Sequence, residues 1–435
     1  MKFKRLYVLP IAGMLCISVL AAERDVQLSS DNAPVSFPVI PPKGRIIMWG
    51  ADSVRCCKPT TYQISYLADP AVAGKSMQMA VKCAIQVEKE QKNNKTGKIE
   101  KKKVDEFSFK YFPIIPRKQA VETIILPEFD KEHQVELFFT DNTEKPEPLS
   151  NTIKLKKKGD IFMLPEAEEI IKVVENLPVK ATVQPVKSRK VLVYTKTLGF
   201  PHSSIPLGAR TILLMGQKTG AWQALISDDR YMFEPQVLAQ FDAIMMMENT
   251  GSLFGDPDKA VNERLRISLL DFVRNGRGLA GSHAATDCSY DWKDYGEMIG
   301  GYFAGHPFYK IRVRNDDPKN PINAVFKGEG FDIQDEMYTF REPYSREKQR
   351  VLLSIDISTQ PDDPAKPGFK KGENRQDHDY AISWIREEGK GRVFYCSFGH
   401  QHQVWWNPVI LQHYLDGLQY SLGDLKADSM PSVKK

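Results

Sequence analysis

Seven of the eight histidines in this 435-residue chain lie after position 200. Five of them, His202, His283, His306, His378 and His400, stand within two residues of glycine, proline or aspartate, where loops or strand ends are expected. Imidazole titrates near neutral pH, so a group of such rings can shuttle protons or, when neutral, hold a divalent metal. His283 occupies the most telling position. The stretch RGLAGSHAATD, residues 277–287, reads as a buried strand that stops at glycine, turns sharply and enters a helix. Many hydrolases carry a nucleophilic serine or cysteine at such a turn. A histidine there suits general acid–base catalysis, with His306, Glu336 and His400 around it. The same ring also suits a divalent metal, with His306, Glu336, His378 or Asp379 as companions, although no HExxH or HxxxH spacing accompanies them.

Other polar residues follow the expected strands. KTLGFPHSS (196–204) follows the first strand and contains His202, and ENTG (248–251) follows the third and contains Asn249. Asp287 lies one turn into the helix after His283, where it either orients that ring or caps the helix. Glu336 follows Asp335, as a base, a ligand or one of a solvated acid pair. Tyr338, Trp405 and Trp406 offer flat faces for a substrate, as does Trp384 unless it packs in the core. The candidate substrate-binding residues are thus His202, Asn249, Asp287, Tyr338 and Trp405. His413 is expected inside the final helix, either packed or at the surface, and His133 to be exposed. For any single loop histidine, a hydrogen-bonding strut is the equal alternative; the argument for function is their convergence.

The elements that would position these side chains fall into two textures. Residues 24–160 hold short alternating runs divided by Pro, Gly, Asn and Asp, the pattern of antiparallel strands, and are read as a small all-β sandwich. The run EKEQKNNKTGKIEKKKVDE within it mixes both charges and reads as a solvated hairpin tip. Residues 161–187 contain a short helix followed by a Pro- and Val-rich stretch, read as a linker. From residue 188 the pattern changes to α/β. Continuous apolar runs such as VLVY (191–194) alternate with helical stretches, the best patterned being 258–274, and a closing helix covers 408–422. Strands alternating with helices predict a doubly wound parallel sheet over 188–425, with a disordered tail at 426–435. Ligands of such sheets bind at the carboxyl ends of the strands, where the polar residues cluster.

Composition narrows the classes. A net charge of +5, 42% hydrophobic and 26% charged residues describe an ordinary globular chain. No basic stripe with interleaved aromatics points to nucleic acid. Residues 1–21 begin with Lys2, Lys4 and Arg5, continue with an apolar run and end in small residues, the form of a secretion signal. A periplasmic or secreted location is therefore expected, with no membrane span. In an oxidising compartment Cys56 or Cys57 can pair with Cys83, while Cys288 and Cys396 read as buried thiols.

Five motifs in order carry a family resemblance: KTLGFPHSSI (196–205), NGRGLAGSHAATD (275–287), GGYFAGHP (300–307), DEMY (335–338) and FGH (398–400). Together they resemble the trehalose-utilisation (ThuA-like) family across residues 190–422. The resemblance implies a class I glutamine-amidotransferase-like, flavodoxin-like α/β fold. It also implies carbohydrate catabolism, with a glycoside or 3-keto-sugar as substrate, a small-molecule carbohydrate as partner, and a divalent metal and oligomer formation left open. Amidotransferases of this fold place cysteine within Gly-x-Cys-x-Gly, where this chain has GSHAA (281–285). Imidazole does not replace a thiolate that must form an acyl intermediate, and Cys288 lies too far into the helix. Two rivals remain in view: a carbohydrate-binding protein without catalysis, and an ester or amide hydrolase acting through Ser282.

Overall fold

The computed structural model describes residues 40–53, 61–92, 99–116, 119–125, 134–150, 152–155, 165, 167–359, 375 and 377–432. They divide into two compact units, with the division between Leu164 and Pro165. The expected secretion signal, His133, Cys56 and Cys57 lie outside the described residues, and with them the proposed disulfide.

Among its described residues the first unit contains seven strands, β1 (Ile46–Ser53), β2 (Thr61–Ala68), β3 (Met77–Lys92), β4 (Ile99–Ile114), β5 (Gln119–Ile125), β6 (Gln134–Thr140) and β7 (Ile153–Leu155). They form two antiparallel sheets, ordered β1-β2-β5 and β4-β3-β6-β7. Met48 and Tyr66 of one sheet share an apolar cluster with Met79, Leu137 and Phe139 of the other. The described parts of the mixed-charge run, 88–92 and 99–106, lie within the antiparallel pairing of β3 and β4, where Lys89 pairs with Glu106 at 2.9 Å.

The second unit begins with helix α1 (Ala167–Asn176). Five parallel strands then form its centre: β8 (Lys190–Tyr194), β9 (Gln223–Ser227), β10 (Ala243–Met247), β11 (Gly278–Ser282) and, much later, β16 (Gly391–Cys396). Every residue of β10 is buried, as a strand covered on both faces requires. The helices are α2 (Ile205–Thr219), α3 (Pro235–Leu238), α4 (Lys259–Arg274), α5 (Lys293–Ile299) and α6 (Pro408–Ser421). Asp258 caps α4 by accepting from the Ala260 amide at 2.8 Å, and Asn407 caps α6 next to Pro408. The parallel strands lie in the order β9-β8-β10-β11-β16, so the winding reverses between β8 and β10, the flavodoxin-like arrangement.

The sheet is mixed rather than wholly parallel. Four further strands extend it beyond β16 in antiparallel pairing: β12 (Tyr302–Asn315), β13 (Phe331–Arg341), β14 (Arg350–Ile355) and β15 (Ala381–Glu388), giving the order β13-β12-β14-β15-β16. Between β15 and β16 only Gly389 and Lys390 intervene, too few for a parallel crossover.

Two boundaries also differ from expectation. Residues 167–187, expected as a linker, pack onto the α/β unit. Ile170, Val173, Leu177 and Ala181 join its core, and the Thr182 and Val183 amides donate to Gln419 of α6. Residues 426–432, expected as a disordered tail, are held at the start of β14. There the Ser432 amide donates to the Gln349 carbonyl at 3.0 Å and Arg350 pairs with Asp428. No described helix is long and apolar enough to cross a membrane.

Candidate functional site

The carboxyl ends of the parallel strands carry the site. After β8, residues 195–204 form a loop stitched to the loop after β10. The Leu198 and Gly199 amides donate to the Thr250 carbonyl, Thr250 Oγ1 donates to the Phe200 carbonyl, and Asn249 Nδ2 donates to the Tyr194 and Lys196 carbonyls. This holds His202, which is buried. A Cβ on Gly199 would stand 2.9 Å from the Gly251 nitrogen, so the two loops touch through glycine.

His283 is the first residue beyond β11 and is fully buried. Its φ of 40° is left-handed, a strained conformation for a residue with a Cβ. Two bonds hold it there: Tyr395 donates its hydroxyl to the His283 carbonyl at 2.6 Å, and ring Nδ1 donates to the Ser397 carbonyl at 3.0 Å. A carbonyl only accepts, so Nδ1 carries the proton and Nε2 keeps its lone pair as an acceptor. That lone pair faces His400 Nδ1 at 3.3 Å and Glu336 Oε1 at 3.7 Å. His400 Nδ1 is also 3.4 Å from Glu336 Oε1. Burial, reinforced by His202 and His400, pushes the His283 pKa well below the usual imidazole value. Burial also drives His202 down to about 3 and lowers His400, against the pull of Glu336.

Glu336 lies on β13, in the antiparallel extension. Its other oxygen, Oε2, accepts from the Tyr309 hydroxyl at 3.0 Å and lies 3.4 Å from His306 Nδ1. Asp335 next to it is buried and ties β13 to the loop after β16. It accepts from the amides of Glu336, Gly399 and Gln401 at 2.8–2.9 Å. Burial raises the Asp335 pKa to about 7 in spite of those three donors. One donor atom from each of His202, His283, Glu336 and His400 comes within 4.8 Å of the others.

A sequence profile of the ThuA family, described as trehalose utilisation, matches residues 190–421. The chain belongs to the ThuA family. Among solved structures, a putative ThuA-like protein from Bacteroides uniformis is similar at 20% identity, with a TM-score of 0.43, covering 55% of this chain and 94% of that one. A second, from Parabacteroides merdae, shares 16% identity with a TM-score of 0.38 over 57% and 94% of the two chains. A β-galactosidase from G. stearothermophilus shares 13% identity with a TM-score of 0.31, over 56% of this chain and 31% of that chain. No curated protein matches the chain. The ThuA match spans all four clustered residues.

Several sequence expectations change within this ThuA unit. His306 reaches Glu336 but not the four-residue cluster. His378 is exposed and outside the cluster, and Asp379 is engaged by Arg346 and Tyr344, so neither joins a ligand set with His283. Asp287 does not orient His283, since Nδ1 is held by Ser397; it accepts from Tyr290 at 2.5 Å instead. Asn249 Nδ2 is spent on backbone carbonyls, while its Oδ1 is buried without a hydrogen-bond partner among the described residues. Trp405 is fully buried against Tyr414 and offers no face to a sugar. Tyr338 is buried too, yet its ring lies 4.1 Å from that of His283 and walls the site. Ser282 is buried with its hydroxyl toward the Met246 carbonyl, away from any base, and burial raises Cys288 to about 12. Neither is placed as a nucleophile.

Sequence reasoning missed Asp335 as a buried clamp, together with Tyr309, Ser397 and Glu248. Glu248 is fully buried with φ 51°; it accepts from Ser204 at 2.7 Å, and burial raises its pKa well above the usual value. The apolar spacing of IQDEMYTF was the available sign that 335 and 336 belong to a strand.

Proposed function

We propose that this ThuA-family chain is an exported enzyme of carbohydrate catabolism that acts on a glycoside or 3-keto-sugar, with His283 at its centre. The observation that carries the reading is the lone pair of His283 Nε2, turned toward Glu336 and His400 in a cluster whose other members, His202 and Glu336, are buried. A ketone acidifies the C–H beside it. A neutral, buried imidazole with one nitrogen fixed as donor is suited to take that proton, and the resulting enolate can expel an oxygen on the next carbon. Proton return to the leaving oxygen falls to His306 or His400, both partly exposed. Phe200, 61% exposed and edge-on to His202, and Tyr309 at 47% supply apolar faces on which a sugar ring can stack. The family description, trehalose utilisation, supports the substrate class, and the basic-then-apolar start of the chain supports export.

The test is turnover of 3-keto-disaccharides by the purified chain and by His283→Asn. Asparagine tolerates left-handed φ, so the fold should survive. A loss of at least about 100-fold in kcat/KM is expected; equal turnover by the variant would overturn the reading.

A further inference from the structure

We propose that His202, His283, Glu336 and His400 form a binding site for one divalent transition-metal ion. The site shares His283 Nε2 with the base proposed above, so a bound ion and proton abstraction by that nitrogen exclude each other; the inference does not depend on the substrate named there, and the experiment separates the two. Three donor atoms, His283 Nε2, His400 Nδ1 and Glu336 Oε1, form a triangle with sides of 3.3, 3.4 and 3.7 Å. Donors about 2.1 Å from an ion at tetrahedral angles stand about 3.4 Å apart, so this triangle has the size of one face of a coordination shell. His202 supplies the fourth nitrogen, within 4.8 Å of the other three donors. Its Nδ1 is buried and has no hydrogen-bond partner among the described residues, a costly state that a ligand would relieve.

The supporting contacts match what metal ligands require. His283 donates its remote N–H to a carbonyl, which fixes the tautomer that leaves Nε2 free to coordinate. Glu336 has Oε2 occupied by Tyr309, leaving Oε1 as a single donor. Asp335 sets the spacing of Glu336 and His400 by bonding the amides of Glu336, Gly399 and Gln401. Three imidazole nitrogens and one carboxylate oxygen favour zinc, manganese, iron or cobalt over magnesium or calcium, which prefer all-oxygen shells. An ion expanding to five or six ligands would have room for a hydroxyl or carbonyl oxygen of a bound molecule.

The experiment uses the full chain without a histidine tag, stripped by chelator and titrated with Co²⁺. The visible d–d band, competition by Zn²⁺ and elemental analysis are the readouts. Expected are saturation at one equivalent and a rise in Tm. His283→Asn and Glu336→Gln should each weaken binding at least about 100-fold, while His378→Ala should leave it unchanged. Absence of a saturable band in the folded chain, or a band that survives in both His283→Asn and His400→Ala, would overturn the site. Turnover of the keto-sugar without bound metal would leave proton transfer standing and remove the ion from that reaction, the Co²⁺ titration alone deciding the site. Bound Co²⁺ without turnover would leave the ion and remove the substrate.

Discussion

At the scale of single residues, two buried histidines illustrate opposite uses of one side chain. His283 turns its Nε2 lone pair toward His400 and Glu336 and is held there at the cost of a strained backbone. His413, inside α6, is fully employed in packing: Nδ1 donates to the Ile322 carbonyl at 3.2 Å, Nε2 lies 2.9 Å from Ser383 Oγ, and Phe326 and Phe394 flank the ring. Burial lowers its pKa to about 4, against about 6.5 in the unfolded chain. The unfolded state thus binds the proton more tightly. The contribution of neutral His413 to stability is complete above about pH 6.5 and is lost as pH falls toward 4, on the order of 3 kcal/mol in all. His413→Gln should flatten the fall in unfolding free energy between pH 6.5 and 4, measured in urea. An identical slope in the variant would contradict the assignment.

Among elements, the decisive joint is between β13 and the loop after β16. Asp335→Asn replaces an acceptor oxygen with an amide donor and should loosen that joint. Co²⁺ affinity is expected to fall by about 10- to 100-fold in the folded protein. A purely structural role would lower Tm and leave that affinity unchanged. Packing of α6 on β16 is equally specific: a Cβ on Gly417 would stand 2.4 Å from the Phe394 ring. Gly417→Ala should therefore destabilise by about 1–3 kcal/mol, read as a lower Tm, whereas an unchanged Tm would mean the helix shifts freely. The parallel strands and α4 were legible because apolar runs and an aspartate cap declare themselves locally. In the extension, the apolar runs of β14 and β15 also read as strands, whereas β12, β13 and the antiparallel pairing did not. β12 is broken by bulges around Gly305, and β13 carries charged residues along its length, so GGYFAGHP and DEMY carried a family resemblance but no strand periodicity. That blindness also explains the candidate site. His202, His283 and His400 follow strands that periodicity finds, and they were placed correctly at strand ends. Glu336 was named without its strand. His378 looked equivalent to the others because a histidine next to aspartate carries no local sign of which way the chain turns.

For the molecule as a whole, the ordered stretch at 167–187 decides where the α/β unit starts. A fragment of residues 165–435 should unfold cooperatively and keep the Co²⁺ site, since all four ligands and their supports lie within it. A fragment of 188–435 would lose Ile170, Val173 and Leu177 from the core, at a cost of at least about 3 kcal/mol, and should show a clearly lower Tm. Equal stability of the two fragments would show that the strap is dispensable. The antiparallel extension has a different consequence, one of charge. The parallel block supplies three neutral rings, and the four donors gain their only formal charge from β13. A descendant that shed those outer strands could keep every imidazole, yet a dication seated among them would hold its full +2 instead of +1. Such a centre would grip hydroxide and other anions more tightly and release them more slowly.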